Sequence, residues 1–314
     1  MDQIVRPLDP AKFRDPSLTA GGEKRAQVVM RRLETLWFNT GTLCNLTCRN
    51  CYIESSPRND LLVYLTRAEV AGFLDEIAEA GLPTRLIGFT GGEPFMNPDI
   101  IGMLGDTLSR GFHVLVLTNA MAPMRRRRAQ LMALRDIYGE RLCIRVSLDH
   151  YTQAVHEAER GKRSWAVTVD GLVWLARNGF RLDVAGRRFT GESEAELRAG
   201  YAALFAELAL PVAASDPARL MLFPEMESGQ DVPEITTACW GLLGKSPDDV
   251  MCASSRMVVK RRGALHPVVL ACTLVAYDKG FELGRTLAEA ARPVALNHPF
   301  CASFCVLGGA ACSR

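Results

Sequence analysis

Aromatic residues make up only 7% of this 314-residue chain, and its charges nearly cancel. Lys and Arg number 37 against 35 Asp and Glu, for a formal net charge of +2. A near-neutral chain lacks the basic surplus that broad nucleic-acid binding draws on, so such binding is not expected. Long apolar runs are missing as well. No stretch reaches about 18 consecutive apolar residues, so no membrane-spanning helix is expected. The N-terminal residues MDQIVRPLDPAKFRDPSLTAGGEKR carry no apolar h-region and do not read as a secretory signal. The expectation is a cytoplasmic protein with reduced thiols. Apolar residues, at 48%, supply enough mass for a sizeable core. The length suits two domains, or one large α/β barrel with an appendage.

Ten cysteines stand out against this background. In a reducing compartment they point to metal more than to a disulfide framework. Three of them, Cys44, Cys48 and Cys51, fall close together. Six more, Cys239, Cys252, Cys272, Cys301, Cys305 and Cys312, lie toward the C-terminus. Cys143 stands alone in the apolar run LCIRVSL and reads as a small core residue.

Residues 1–33 are polar and proline-bearing and read as a partly ordered arm. From there strand-like and helix-like segments alternate. Strand patterns cover 35–39, 85–89, 113–117, 142–148, 181–185 and 219–223, and helical periodicity covers 66–80, 98–110, 124–138, 164–178 and 193–208. Thr66 with Glu69 three residues on forms a capping-box pattern, and Gly81, Gly111 and Gly179 follow helix ends. Regular alternation implies parallel strands joined by right-handed crossovers. Six units fall short of a closed eight-stranded barrel, so the fold class expected is α/β, a partial (β/α)6 TIM-like barrel over 34–228. The regularity stops near residue 225. Two short apolar runs around Gly263 then read as a hairpin, and the end is cysteine-rich and turn-rich, giving a small domain over 229–314. Two basic runs, Arg125–Arg128 and Lys260–Arg262, lack interleaved aromatics and read as solvated surface.

The first predicted strand runs directly into Cys44-Asn45-Leu46-Thr47-Cys48-Arg49-Asn50-Cys51. Three thiolates at this C-x3-C-x2-C spacing can reach one small inorganic centre. Inert loop thiols, a zinc site with a fourth ligand from elsewhere, and an iron–sulfur cube with one iron left open are the competing readings.

Cys44, Cys48 and Cys51 after a first strand closely resemble the signature of the radical S-adenosylmethionine (radical SAM) superfamily. Gly91-Gly92-Glu93-Pro94 after the second strand resembles that family's GGEP motif. The resemblance implies that the three cysteines hold a [4Fe–4S] cluster whose open iron chelates S-adenosylmethionine. It implies that Gly91 and Gly92 let the backbone approach the methionine amino group, with Glu93 and Pro94 fixing that loop. Reductive cleavage of the sulfonium would yield a 5′-deoxyadenosyl radical that abstracts hydrogen. Asn119 at the end of the third strand, Ser147 and Asp149 at the end of the fourth, and Arg160 with His156 in HEAERG look like the remaining cofactor contacts. Ala120 stands where glycine is frequent in the family, and Asn50 where an aromatic is frequent, so Tyr52 is the aromatic wall expected instead.

Cys252 and Cys272 bracket the hairpin, and Cys301, Cys305 and Cys312 follow an ELG segment, Glu282–Gly284. This arrangement resembles the SPASM or shorter twitch extension and implies one auxiliary [4Fe–4S] cluster, held by Cys252, Cys272 and two of Cys301, Cys305 and Cys312. Cys239 is open between ligand and packed thiol. Zinc is the competing reading for this group. The resemblance also implies a reducing partner such as flavodoxin or ferredoxin. The short arm leaves no room for a leader-recognition domain, which favours a small-molecule substrate. The alternatives are a peptide maturase, forming cross-links or oxidised residues, and a non-catalytic zinc or iron–sulfur protein.

Overall fold

Apolar runs of five or six residues alternate with capped amphipathic helices, and in the computed structural model, which describes residues 7–225 and 229–309, they form one nine-stranded sheet. A two-residue strand, β1 (Gln27–Val28), precedes it. Six parallel strands follow: β2 (Thr35–Asn39), β3 (Leu86–Thr90), β4 (His113–Thr118), β5 (Leu142–Ser147), β6 (Arg181–Arg188) and β7 (Leu220–Pro224). They are neighbours in sequence order, in register from Thr35↔Leu86 to Val184↔Leu220. The crossovers are α1 (Arg67–Glu79), α2 (Ile100–Ser109), α3 (Ala122–Arg125) with α4 (Arg128–Tyr138), α5 (Gln153–Arg160) with α6 (Ser164–Arg177), and α7 (Glu194–Glu207). The Thr66–Glu69 capping box starts α1, with Thr66 N–H donating to Glu69 Oε2 at 2.9 Å. No described helix is long and apolar enough to cross a membrane.

Alternation along each strand builds two cores. Leu36, Phe38, Ile87 and Phe89 face outward onto Val70, Phe73 and Leu74 of α1. Trp37, Leu115, Cys143, Met257 and Val259 fill the barrel interior. Gly88 makes room there: a Cβ on it would lie 2.2 Å from the Trp37 ring. Cys143 is buried, and its Sγ donates to Asp183 Oδ2 at 3.1 Å.

The barrel does not close on itself. After α8 (Cys239–Leu243), strand β8 (Ser255–Val259) pairs parallel with β2. Strands β9 (Val268–Leu270) and β10 (Glu282–Gly284) continue antiparallel from it, so the expected hairpin extends the barrel sheet. At the opposite edge Phe223 of β7 stacks on Phe304 from the C-terminal segment, ring centroids 5.7 Å apart. The C-terminal segment therefore spans the gap between the two sheet edges and plugs it with Leu274, Phe300 and Phe304. The N-terminal arm is stitched to this segment: β1 pairs with β11 (Val294–Ala295), and buried Arg25 binds Glu234 at 2.5 Å.

Two segments differ from their sequence patterns. The continuous helix expected over 124–138 is broken into α3 and α4 at Arg126 and Arg127. The break turns Arg128 onto the Trp174 ring, 4.6 Å from its centroid, and toward Asp170 of α6 at 3.3 Å. The turn-rich end contains a wide seven-residue helix, Cys301–Leu307, whose interior faces bury Ala302, Phe304 and Val306.

Candidate active site

The cysteine loop and the glycine loop are zipped together by backbone hydrogen bonds. Thr40 N–H donates to the Thr90 carbonyl (2.8 Å), Gly92 N–H to Gly41 (2.8 Å) and Glu93 N–H to Leu43 (3.1 Å). The approach is close enough to exclude side chains. A Cβ on Gly91, whose φ is +135°, would sit 2.4 Å from the Gly41 oxygen, and one on Gly92 would sit 2.2 Å from the Leu43 oxygen. These glycines thus face the chain's own cysteine loop on one side and the cavity on the other.

Cys44, Cys48 and Cys51 line one cavity of about 1120 Å³, its mouth included. None of the three is in a disulfide. Burial pushes the Cys44 thiol up to about 12, against a hydrogen bond from Leu46 N–H. Burial also raises Cys48, with the Arg160 charge opposing. Thiols held this high stay protonated at neutral pH until a metal centre displaces the proton. Three soft sulfur donors on one wall, with space in front of them, fit an iron–sulfur cube held at three corners.

The other predicted residues divide into two groups. Gly91, Gly92, Asn119, Ser147, Asp149, Arg160 and Tyr52 line the same cavity as the cysteines. Glu93 and Pro94 lie behind the wall, both buried. Glu93 accepts from the Thr118 hydroxyl (2.8 Å), Asn119 N–H (2.9 Å) and Phe95 N–H (3.2 Å), so it ties the end of β4 to the glycine loop. Burial raises its carboxyl to about 7 against these hydrogen bonds. Asn119 donates to Asn45 Oδ1 at 2.9 Å and reaches Cys44 Sγ at 3.9 Å, which links the end of β4 to the cysteine loop. Ala120, next along, has a positive φ of 58°, a conformation that glycine adopts without strain.

Asp149 and Arg160 form a bidentate pair at 2.8 and 2.9 Å, both nearly buried. Burial acts to raise the Asp149 carboxyl, but the Arg160 guanidinium outweighs it and leaves Asp149 below the usual carboxylate range. The pair is a fixed dipole in the cavity wall. His156 lies outside the wall, fully buried, edge-on to Trp165 at 5.6 Å.

The cavity also contains residues that sequence patterns did not single out: Arg187, Phe223, Leu274 and Phe304. Arg187 donates to the Asn50 carbonyl at 2.9 Å, and Asn50 Nδ2 donates to Glu159 at 2.9 Å, so Asn50 is tied down in the cysteine loop. The period-2 alternation of β6 carries Arg187, two residues beyond the strand end read from sequence. Phe223 sits at the C-terminal end of β7, where barrel ligands bind. Leu274 and Phe304 carried no signal in their spacing.

Five of the six C-terminal cysteines lie among the described residues, none in a disulfide. Cys252 is buried and pushed up to about 12 by that burial, with Cys272 adding to the shift. Cys301 is raised by burial and by Cys272 and Cys252. Cys305 lies four residues beyond Cys301 on the same wide helix and packs, like Cys272, against both cores. Cys239 accepts a hydrogen bond from Thr236 N–H at 3.3 Å. Cys312 lies outside the described residues.

An incomplete parallel barrel with three free thiols, a glycine ribbon and an acid–guanidinium pair at one cavity defines an iron–sulfur enzyme of the radical SAM class. The chain belongs to the radical SAM superfamily, whose profile matches residues 38–194. Its cofactors are accordingly a [4Fe–4S] cluster and S-adenosylmethionine. It is similar to the antilisterial bacteriocin subtilosin biosynthesis protein AlbA of Bacillus subtilis (strain 168), 32% identical over 143 residues. That match covers 45% of this chain and 30% of AlbA, so the chain spans under a third of that relative. Its fold resembles Streptococcus suis SuiB bound to S-adenosylmethionine, with a TM-score of 0.59 at 12% identity, covering 81% of this chain and 63% of SuiB. SuiB bound to the precursor peptide SuiA gives 0.50 at 15% identity, covering 64% and 41%. The anSMEcpe protein with bound AdoMet gives 0.58 at 14% identity, covering 85% and 82%.

Proposed function

We propose that this enzyme removes a hydrogen atom from an apolar side chain of a peptide. Cys44, Cys48 and Cys51 hold the [4Fe–4S] cluster, and Gly91, Gly92, Asn119, Ser147, Asp149, Arg160 and Tyr52 form the bed for S-adenosylmethionine. When bound, these groups supply an electron to the sulfonium and the carbon radical that takes the hydrogen. The chain's part is placement. Glu93 and Asn119 lock the glycine and cysteine loops together, and the Asp149–Arg160 pair presents fixed charge without reorganisation.

The observation that carries the substrate class is the chemistry of the wall beyond the cofactor bed. Leu117, Ala185, Phe223, Leu274 and Phe304 line it. Against these five side chains most hydroxyls of a sugar or aminocyclitol would be buried without partners, Arg187 being the charged group of the cavity outside the Asp149–Arg160 pair. An aliphatic or aromatic side chain fits it. AlbA, by its name a bacteriocin biosynthesis protein, and SuiB, crystallised with a precursor peptide, support the same class. The wall favours a peptide over the small molecule expected from the sequence. Cys252, Cys272 and two of Cys301, Cys305 and Cys312 hold an auxiliary cluster, which takes an electron from the substrate or binds it. The electron for the first cluster comes from a reducing protein of the flavodoxin or ferredoxin kind.

The test is anaerobic reconstitution with dithionite, S-adenosylmethionine and side-chain-deuterated peptides. Deuterium should appear in 5′-deoxyadenosine. Transfer from a polyhydroxylated small molecule, with none from any peptide, would overturn the substrate class.

A further inference from the structure

Arg256 is a buried cation that lacks an acidic partner. It lies on β8, only 1% exposed, and is among the largest fully buried side chains of the protein. Its guanidinium donates only to carbonyls: Nε to Ala290 at 2.9 Å, Nη1 to Cys252 at 2.6 Å and Ser255 at 2.8 Å, and Nη2 to Arg292 at 3.4 Å. Among the described residues it forms no ion pair with Asp or Glu. The contrast with Arg25 is direct, since that equally buried guanidinium is neutralised by Glu234 at 2.5 Å. Arginine cannot shed its proton in a protein, so its charge has to be met by something else. The titratable groups that face Arg256 are the thiols of Cys252, whose carbonyl it also binds, and Cys272.

Protonated thiols do not balance a cation. Thiolates bound to an iron–sulfur cube do, because four of them leave the cluster with a net negative charge. Buried charges persist where they are paired or serve a metal centre. We propose that Arg256 is the built-in counter-charge of the C-terminal cysteine site. It favours gathering thiolates there and holds the cluster at a less negative reduction potential than four cysteines alone would set, which suits an acceptor of electrons. This inference rests on the auxiliary cluster proposed above.

Glu234 supplies an independent arm of the test. The charge of Arg25 reaches Cys301, and Glu234 cancels it. Removing that carboxylate leaves a second unbalanced cation near the site. The two substitutions therefore move the cluster in opposite directions.

The experiment uses the full chain, reconstituted with iron and sulfide, with iron counted and each cluster titrated potentiometrically by EPR. Wild type should carry near eight irons per chain, against about four for a single cube. In R256Q the auxiliary signal should need a more negative potential, with at least a tenfold change in its oxidised-to-reduced ratio at fixed potential, or about 59 mV for one electron. R256K should restore the wild-type value. E234Q should shift the same signal the other way, and it serves alone if R256Q fails to fold. The first cluster's midpoint should not move. Midpoints unchanged in both R256Q and E234Q would overturn the proposal and leave Arg256 a structural cap. An iron count near four in wild type would overturn the auxiliary-cluster reading, and this inference with it.

Discussion

Gly92→Ala is a small change with a calculable consequence. The added methyl would lie 2.2 Å from the Leu43 oxygen, 2.6 Å from its carbonyl carbon and 2.8 Å from the Thr42 oxygen. All three are backbone atoms, so no side chain can swing aside. A carbon and a carbonyl oxygen rest at about 3.3 Å or more, so the two loops must part by about 1 Å. That stretch breaks the Gly92–Gly41 and Glu93–Leu43 hydrogen bonds. Each is worth about 1 kcal/mol, and leaving the buried groups unpaired adds to the cost, for a total of about 2–4 kcal/mol. At about 2–4 °C per kcal/mol for a domain of this size, the apo protein should melt roughly 4–16 °C lower. The displaced loop runs into Cys44 one residue later, so reconstituted G92A should also lose iron at the first site while keeping it at the C-terminal one. Differential scanning calorimetry and iron analysis read both effects. Gly72 in α1 is the control, because a Cβ there meets nothing within 4 Å. G72A should raise stability by up to about 1 kcal/mol. A G92A protein that melts with wild type and binds full iron would refute the steric argument.

Four further outcomes are expected. Cys48→Ala should lose one cluster's iron and all cleavage of S-adenosylmethionine, whereas Cys272→Ala should lose iron yet retain cleavage uncoupled from substrate, as read by 5′-deoxyadenosine yield. Phe304→Ala removes the ring stacked on Phe223 and opens the apolar wall, so it should lower stability by about 3–5 kcal/mol in urea melts and raise KM for a peptide more than it lowers kcat. His156 is buried with both ring nitrogens unpartnered, and burial depresses it to about 4 from 6.5. A depressed base favours the fold above its unfolded value and loses that contribution as pH falls, whereas Glu93, raised to about 7, acts in the opposite sense in both proteins, so the test is the difference: H156L should gain up to about 3 kcal/mol on wild type between pH 6.5 and 4, and parallel pH curves would sink the idea. Ala120→Gly relieves a positive φ and should be neutral or stabilising by a few tenths of a kcal/mol in the same melts.

What the chain revealed before folding depended on how local the information was. The six parallel strands were visible because each is an apolar run with its own period, and the capping box of α1 because Thr66 and Glu69 are three residues apart. The cysteine loop and the glycine loop could be recognised for the same reason, since each motif is contiguous. Their mutual packing could not, because the contact of Gly92 with Leu43 joins residues 49 apart through the β2–β3 pairing. The substrate end of the cavity was the least legible part. Phe223 and Phe304 meet only because the C-terminal segment, which adds β8, β9 and β10 beside β2, also reaches the β7 edge of the sheet, and no spacing along the chain encodes that crossing. Arg256 makes the same point in electrostatic terms. As a sequence letter it is one Arg in a strand-like run. Only its burial among carbonyls, beside thiols and with no carboxylate paired to it among the described residues, suggests the proposed role. The motifs that mark the family in this chain are short and contiguous, whereas the proposed substrate wall and the proposed counter-charge depend on contacts between distant segments.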